Sequence, residues 1–157
     1  MAQKTQELID DKGKIRVFVY GTLKKEHGNN VLIQASEGEF MGYDSVEGAY
    51  KMCDMGGFPG VFHPGDGSTH NTIYGELWAL QPEGLATLDM LEGHPNFYKR
   101  EKLWTNNEKK AWMYFLSPRY MSQMAQLRQP KRRIMSGLWN PSKDELAHWE
   151  EQDVKQD

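Results

Sequence analysis

Cysteine is almost absent from this chain of 157 residues, which contains Cys53 and no other. A single cysteine excludes an intrachain disulfide and cannot build a thiolate zinc site by itself, so the composition predicts a cytoplasmic protein. Cys53 lies in the strand-like segment 50–55. A buried, apolar role is favoured there over that of a nucleophile.

Long apolar runs are also lacking. No window approaches the roughly 18 apolar residues of a membrane span, and residues 1–7 have no apolar core typical of a signal peptide. The net charge is −3, and the basic run Lys131-Arg132-Arg133 is short. These features predict neither a membrane nor a nucleic-acid partner and leave small metabolites open.

Signals for metals and cofactors are equally sparse. The five histidines are scattered, at positions 27, 63, 70, 94 and 148, without the spacing of a helical metal pair. The glycines at 56, 57 and 60 are not followed by the helix of a phosphate loop or a dinucleotide-binding fingerprint. The sequence predicts no metal and no cofactor.

What the chain does contain is a strand that ends abruptly in a glycine turn. Residues 15–20, Ile-Arg-Val-Phe-Val-Tyr, are rich in strand formers and nearly continuously apolar, which is typical of a strand covered on both faces. Gly21, Thr22 and Leu23 follow. Such a turn can direct several backbone N–H groups at an anion. The alternative is an ordinary turn at a strand end.

A second feature is an acidic residue at the end of a short helix. Leu85, Leu88 and Leu91 recur every three residues between Pro82 and Gly93, which predicts an amphipathic helix with Glu92 at its end. A carboxylate in an apolar pocket has a raised pKa and can act as a base and then as an acid near neutral pH. The alternative is a glutamate on the surface of the helix.

The remaining elements predict one α+β domain. Strands are expected at 40–50, 72–80, 98–104 and 110–116, about six in total, without the regular strand–helix alternation of a doubly wound sheet. The pattern leaves open a small mixed sheet or a partly closed barrel. We divide the chain into a flexible leader (1–14), the domain (15–141), and a C-terminal helix and charged tail (142–157).

Three local interpretations complete this view. The turn-rich segment 56–60 forms either a pocket wall that includes Phe58 or a plain connecting loop. Lys24 and Lys25 either add positive charge beside the turn or, as is more usual for such a pair, form a solvated surface. Ser142 is expected to cap the C-terminal helix.

Two segments together resemble a known family. Val17-Phe18-Val19-Tyr20-Gly21-Thr22-Leu23-Lys24, followed about seventy residues later by Leu88-Asp89-Met90-Leu91-Glu92-Gly93-His94-Pro95-Asn96-Phe97-Tyr98-Lys99-Arg100, resembles the gamma-glutamylcyclotransferase-like family, in particular its gamma-glutamylamine cyclotransferase branch. The resemblance covers roughly residues 15–141. It departs from the family in the loop 24–30.

The resemblance implies a small mixed six-stranded β-barrel flanked by short helices, and an enzyme that needs no cofactor. The α-amine of a small γ-glutamyl compound would attack its own γ-carbonyl, giving 5-oxoproline and a free amine or amino acid. Glu92 would be the general base and then the general acid. The expected substrate-binding residues are Tyr20, Gly21, Thr22, Leu23, Tyr98 and Tyr114. The alternative is a non-catalytic module that binds or sequesters a small molecule in the same pocket.

Overall fold

The computed structural model describes residues 8–65, 67, 70–127 and 131–152. Within these ranges the chain forms seven strands and four helices. In chain order they are β1 (Ile15–Val19), α1 (Asn30–Ala35), β2 (Glu39–Gly48), β3 (Lys51–Asp54), β4 (Pro59–Phe62), β5 (Asn71–Leu80), α2 (Gly84–Glu92), β6 (Tyr98–Trp104), β7 (Lys110–Leu116), α3 (Pro118–Leu127) and α4 (Lys143–Glu151).

Strand β1 is the middle strand of a five-stranded sheet whose order is β2-β5-β1-β7-β6. It pairs with β5 in antiparallel and with β7 in parallel orientation, so the sheet is mixed. All five of its residues are buried, because neighbours cover both edges and side chains of the core cover both faces. The predicted α+β class and the central, doubly covered strand are confirmed.

The sheet curls until its two ends approach each other. The turn between β6 and β7 reaches β2, where the Asn106 N–H donates to the Ser45 carbonyl at 2.7 Å and the Asn107 N–H donates to Asp44 Oδ1 at 3.1 Å. Side-chain and turn contacts, rather than strand pairing, therefore join the edges that a closed barrel would pair.

The count of strands differs from the expected six. Strands β3 and β4 form a separate two-stranded hairpin, and β4 falls in a segment expected to be turn. Pro59 and Gly60 are poor strand formers, so the local sequence gives no signal for β4. The pairing with β3 decides its conformation.

Helix α2 ends where the sequence predicts. Leu85 and Leu88 are buried, and Gly93 adopts the left-handed conformation with a φ of 64°. The Gly93 N–H donates to the Met90 carbonyl and the His94 N–H to the Asp89 carbonyl, which closes the helix with a Schellman motif. This ending leaves Glu92 as the last helical residue.

The predicted ends of the chain lie partly outside the described residues. Of the leader, residues 1–7 are outside, and the Leu8 carbonyl accepts a hydrogen bond from the Arg16 N–H at 3.2 Å. At the other end residues 153–157 are outside. The Ser142 hydroxyl accepts from the Glu145 N–H at 3.2 Å, so Ser142 caps α4 as predicted.

None of the helices in the described ranges is both long enough and apolar enough to cross a membrane.

The interpretation of Lys24 as a surface residue is wrong. The residue is 0% exposed, and its ammonium donates to the Trp139 carbonyl at 2.6 Å and to Glu145 Oε1 at 2.5 Å. Lys25 is partly buried, with its ammonium 4.1 Å from the centre of the Phe40 ring. The local sequence could not reveal the burial of Lys24, because its partner Glu145 is on the far helix α4.

Candidate active site

A cavity of about 250 Å³ lies at the C-terminal end of β1. The strand end, the turn after it, the β3–β4 turn, the end of α2 and the start of β6 all border it. All seven predicted site residues line it: Tyr20, Gly21, Thr22, Leu23, Glu92, Tyr98 and Tyr114. The structure therefore brings the glycine turn and the end of α2 to one place.

The turn after β1 is oriented by its carbonyl groups. The Gly21 carbonyl accepts from the Lys24 N–H at 3.0 Å, and the Thr22 carbonyl accepts from the Asn29 N–H at 3.1 Å. The Leu23 carbonyl accepts from the side-chain amide of Asn30 at 2.7 Å. Within the described residues, the backbone N–H groups of these three turn residues donate to no protein acceptor.

The loop after the turn holds it in place. The side-chain amide of Asn29 donates to the Thr22 hydroxyl at 2.8 Å, and Asn29 itself lines the cavity. The sequence analysis assigned Asn29 and Asn30 no role, although they lie in the loop where we noted a departure from the family. Both contacts close a loop over seven positions, and a loop of this kind leaves no periodic pattern in the sequence.

Glu92 contributes a carboxylate with unusual electrostatics. Within the described residues, no hydrogen bond and no neighbouring charge contributes to the pKa of this carboxylate. Burial raises the pKa of Glu92 to about 7, because the apolar surroundings disfavour the charged form. A carboxyl group with this pKa exchanges a proton readily near neutral pH.

The tyrosines line the cavity, and their hydroxyl groups donate hydrogen bonds to other parts of the protein. The Tyr98 hydroxyl donates to the Pro59 carbonyl at 2.6 Å, and the Tyr20 hydroxyl donates to the Tyr114 carbonyl at 2.8 Å. Burial, with a smaller contribution from the Glu92 carboxylate, raises the pKa of Tyr20, so its ring stays neutral. These bonds fix the rings around Glu92.

A second carboxylate on α2, Asp89, lies one turn before Glu92. It accepts from the Tyr114 hydroxyl at 2.6 Å and from Arg100 through two bonds of 2.8 and 3.1 Å. Burial alone would raise the pKa of Asp89, but the bonds from Arg100 and Tyr114 outweigh burial and lower it. The Arg100 guanidinium also lies 4.2 Å from the Trp112 ring centre.

The sequence analysis missed this arrangement, although a signal was present. Asp89 and Glu92 are three residues apart, which puts both on one side of a helix. The structure gives them opposite environments, since Arg100 keeps Asp89 ionised while Glu92 has no such cation.

Asp89→Asn is expected to lower the free energy of unfolding by about 2 kcal/mol, because it removes charge-assisted bonds to Arg100 and Tyr114. Urea unfolding measures this loss. Tyr114→Phe is the matched control, since it removes one hydroxyl and leaves the Arg100 pair; we expect a loss of about 1 kcal/mol. Equal losses would show that the Arg100 pair adds no stability.

Another wall of the cavity comes from the β3–β4 turn and the start of β4. Gly57, Phe58 and Pro59 border the cavity, so segment 56–60 contributes the wall that was one of its two interpretations. A Cβ atom at Gly21 would lie 2.9 Å from the Pro59 ring. Glycine is therefore the residue that lets the turn and this wall approach each other.

Metal and thiol chemistry have little support in the described ranges. No group of three or more His, Cys, Asp and Glu side chains there is arranged to hold a metal ion. Cys53 is buried, as predicted, and burial raises the pKa of its thiol, which disfavours the nucleophilic thiolate.

Comparison with known proteins identifies the family. Residues 17–141 match the model of the family described as gamma-glutamyl cyclotransferase, AIG2-like. The chain belongs to this family. The match spans both the glycine turn and Glu92, so the two halves of the cavity lie within the family domain.

Relatives of this cyclotransferase family agree with that assignment. The gamma-glutamylcyclotransferase family protein YtfP of Escherichia coli is 32% identical over 100 residues, which are 64% of this chain and 80% of YtfP. The crystal structure of an AIG2-like protein from Mus musculus superposes with a TM-score of 0.59 at 23% identity, covering 83% of this chain and 97% of the mouse chain.

The cyclotransferase fold also occurs within a different enzyme. Allophanate hydrolase of Kluyveromyces lactis superposes with a TM-score of 0.63 at 14% identity, over 89% of this chain and 22% of the hydrolase chain. This likeness concerns the fold alone. A function for this member of the family has to be argued from its cavity.

Proposed function

We propose that the protein is a γ-glutamylcyclotransferase that converts a γ-glutamyl compound into 5-oxoproline and a free amine or amino acid. The observation that carries the proposal is the cavity shared by Glu92 and the turn Gly21-Thr22-Leu23, whose backbone N–H groups donate to no acceptor among the described residues. A proton acceptor and a set of oriented donors are the two things that this cyclisation requires. Membership of the cyclotransferase family supports the same reaction.

The first step is attack within the substrate. The α-amine, in its neutral form, forms a bond to the γ-carbonyl carbon while the Glu92 carboxylate accepts one of the two amine protons. The carbonyl oxygen becomes an oxyanion. Backbone N–H groups of the turn stabilise an anionic group of the bound substrate, and they do so without reorganising, because their carbonyls are already bound.

The second step expels the leaving group. The oxyanion collapses, the bond between the γ-carbon and the leaving nitrogen breaks, and Glu92 returns the proton to that nitrogen. One carboxyl group with a pKa near 7 therefore serves both steps. The turn holds the two ends of the substrate together, which makes ring closure an intramolecular reaction in a fixed geometry.

The proposal is tested by incubating the purified protein with γ-glutamyl amines, γ-glutamyl amino acids and γ-glutamylated antibiotics, and measuring 5-oxoproline. We expect release from at least one class. Binding of these compounds without 5-oxoproline from any of them would instead support the non-catalytic binding module.

The pH dependence of kcat/KM tests the role of Glu92 as base. Only the ionised carboxylate accepts a proton and only the neutral α-amine attacks. We therefore expect kcat/KM to fall about tenfold per pH unit between the amine pKa of roughly 8 and the Glu92 pKa of about 7, and about a hundredfold per pH unit below the Glu92 pKa. Rates are measured between about pH 5 and about 9, where the fold is checked by circular dichroism. A change of slope at the ordinary glutamate value instead of near 7 would contradict a desolvated base.

A further inference from the structure

A second cavity, of about 520 Å³, lies beside the first. The turn of the β3–β4 hairpin borders the first cavity, whereas residues of its strands and the facing side of α3 border the second. Much of its surface is methionine, from Met52, Met55, Met121 and Met124. Methionine side chains are flexible and polarisable, so they adapt to apolar groups of different shape.

The two cavities share an aromatic wall. Phe58 and Phe97 line the first cavity and Tyr120 lines the second. The Phe97 ring centre is 6.3 Å from that of Phe58 and 4.6 Å from that of Tyr120. All three rings are partly exposed, so a ligand that extends out of the first cavity crosses them before it reaches the methionine surface.

Two cations border the second cavity. Lys131 and Arg133 line it, and no carboxylate does so within the described ranges. The intervening Arg132 is directed elsewhere, with a guanidinium nitrogen 3.4 Å from Asp54. Two backbone contacts hold this segment against β3. They are an isolated antiparallel β-bridge between Arg133 and Cys53 and the hydrogen bond from the Asp54 N–H to the Arg132 carbonyl. The two cations are therefore held on the cavity side.

We propose that the second cavity binds the leaving group of the γ-glutamyl substrate, and that this group is an amino acid with a large apolar side chain whose carboxylate meets Lys131 and Arg133. The inference rests on the proposed function. In this arrangement the γ-glutamyl head group occupies the first cavity, of about 250 Å³, and a large side chain beyond the scissile bond extends over the aromatic wall. An apolar surface with two cations at its border complements an apolar amino acid that carries a free carboxylate.

Binding of γ-glutamyl compounds to the Glu92→Gln protein tests, without turnover, whether the second cavity binds the leaving group. Titration calorimetry compares γ-glutamylphenylalanine, γ-glutamylglycine and γ-glutamylphenylalaninamide. We expect the phenylalanine compound to bind about tenfold more tightly than the glycine compound, because its ring is buried. We expect it to bind about threefold more tightly than its amide, which lacks the carboxylate.

On the Glu92→Gln background, the double variant Lys131→Ala/Arg133→Ala is expected to bind γ-glutamylphenylalanine and its amide with equal affinity. The control Arg132→Ala, on the same background, is expected to keep the difference in affinity between these two compounds. Equal affinity for the phenylalanine and glycine compounds would overturn the inference, as would an acid–amide difference that survives in the double variant. A wild-type protein that forms no 5-oxoproline from any member of the full panel of γ-glutamyl amines, amino acids and antibiotics overturns the proposed function instead, since the affinities are measured independently.

Discussion

Replacing Glu92 by glutamine is expected to lower kcat by about a thousandfold, because the amide can neither accept the amine proton nor return it to the leaving nitrogen. Substrate affinity is expected to change little, since the donors of the turn are untouched. The rate is measured as 5-oxoproline formed from the best substrate, and affinity by calorimetry.

Glu83→Gln is the matched control, because Glu83 is an exposed residue that precedes the same helix and lies outside the cavity. It should turn over substrate like the wild type. A Glu92→Gln protein that retains activity would refute the mechanism. A variant that neither binds nor turns over substrate would show that Glu92 holds the substrate rather than moving its proton.

Lys24→Met is expected to destabilise the fold by about 4 kcal/mol, because it leaves the buried Glu145 carboxylate without its cation. Both side chains of this pair are 1% exposed, and Nζ is 2.5 Å from Oε1. Burial raises the pKa of Glu145 and lowers that of Lys24, since it favours the neutral form of each partner. Urea unfolding measures the loss.

The pH dependence and a double variant make this prediction specific. Without Lys24, a raised pKa of Glu145 means that the folded state binds a proton more tightly than the unfolded state, so the variant loses stability as pH rises. Lys24→Met/Glu145→Leu removes both charges and should recover most of the loss. Lys25→Met, whose ammonium lies over aromatic rings, should lose about 1 kcal/mol or less. A loss from Lys24→Met no larger than this control would contradict the role of the pair.

The parts of the site that could be predicted are those that local sequence controls. A run of strand formers followed by Gly21, and apolar residues every three positions ending at Gly93, each define one element and its end. The family resemblance then joined the two ends into one site. The α+β class, the helix end at Glu92 and the burial of Cys53 needed no knowledge of the rest of the chain.

The parts that could not be predicted depend on contacts between distant segments. Lys24 and Glu145 are 121 positions apart, and a lysine in a polar loop is ordinarily exposed. Strand β4 exists because β3 pairs with it, although its own residues favour a turn. The bond between Tyr114 and Asp89 likewise joins two elements whose approach only the folded sheet determines.

The position of β1 has a consequence for how the cavity binds its ligand. Amide hydrogens of a central, fully buried strand exchange with solvent chiefly through global unfolding, so the turn at Gly21 continues from the most slowly exchanging part of a sheet. In the proposed mechanism, the donors of this turn are therefore oriented before the substrate binds. The conformational entropy of the turn is lost when the protein folds, so substrate binding loses only the entropy of the substrate and of side chains that it orders.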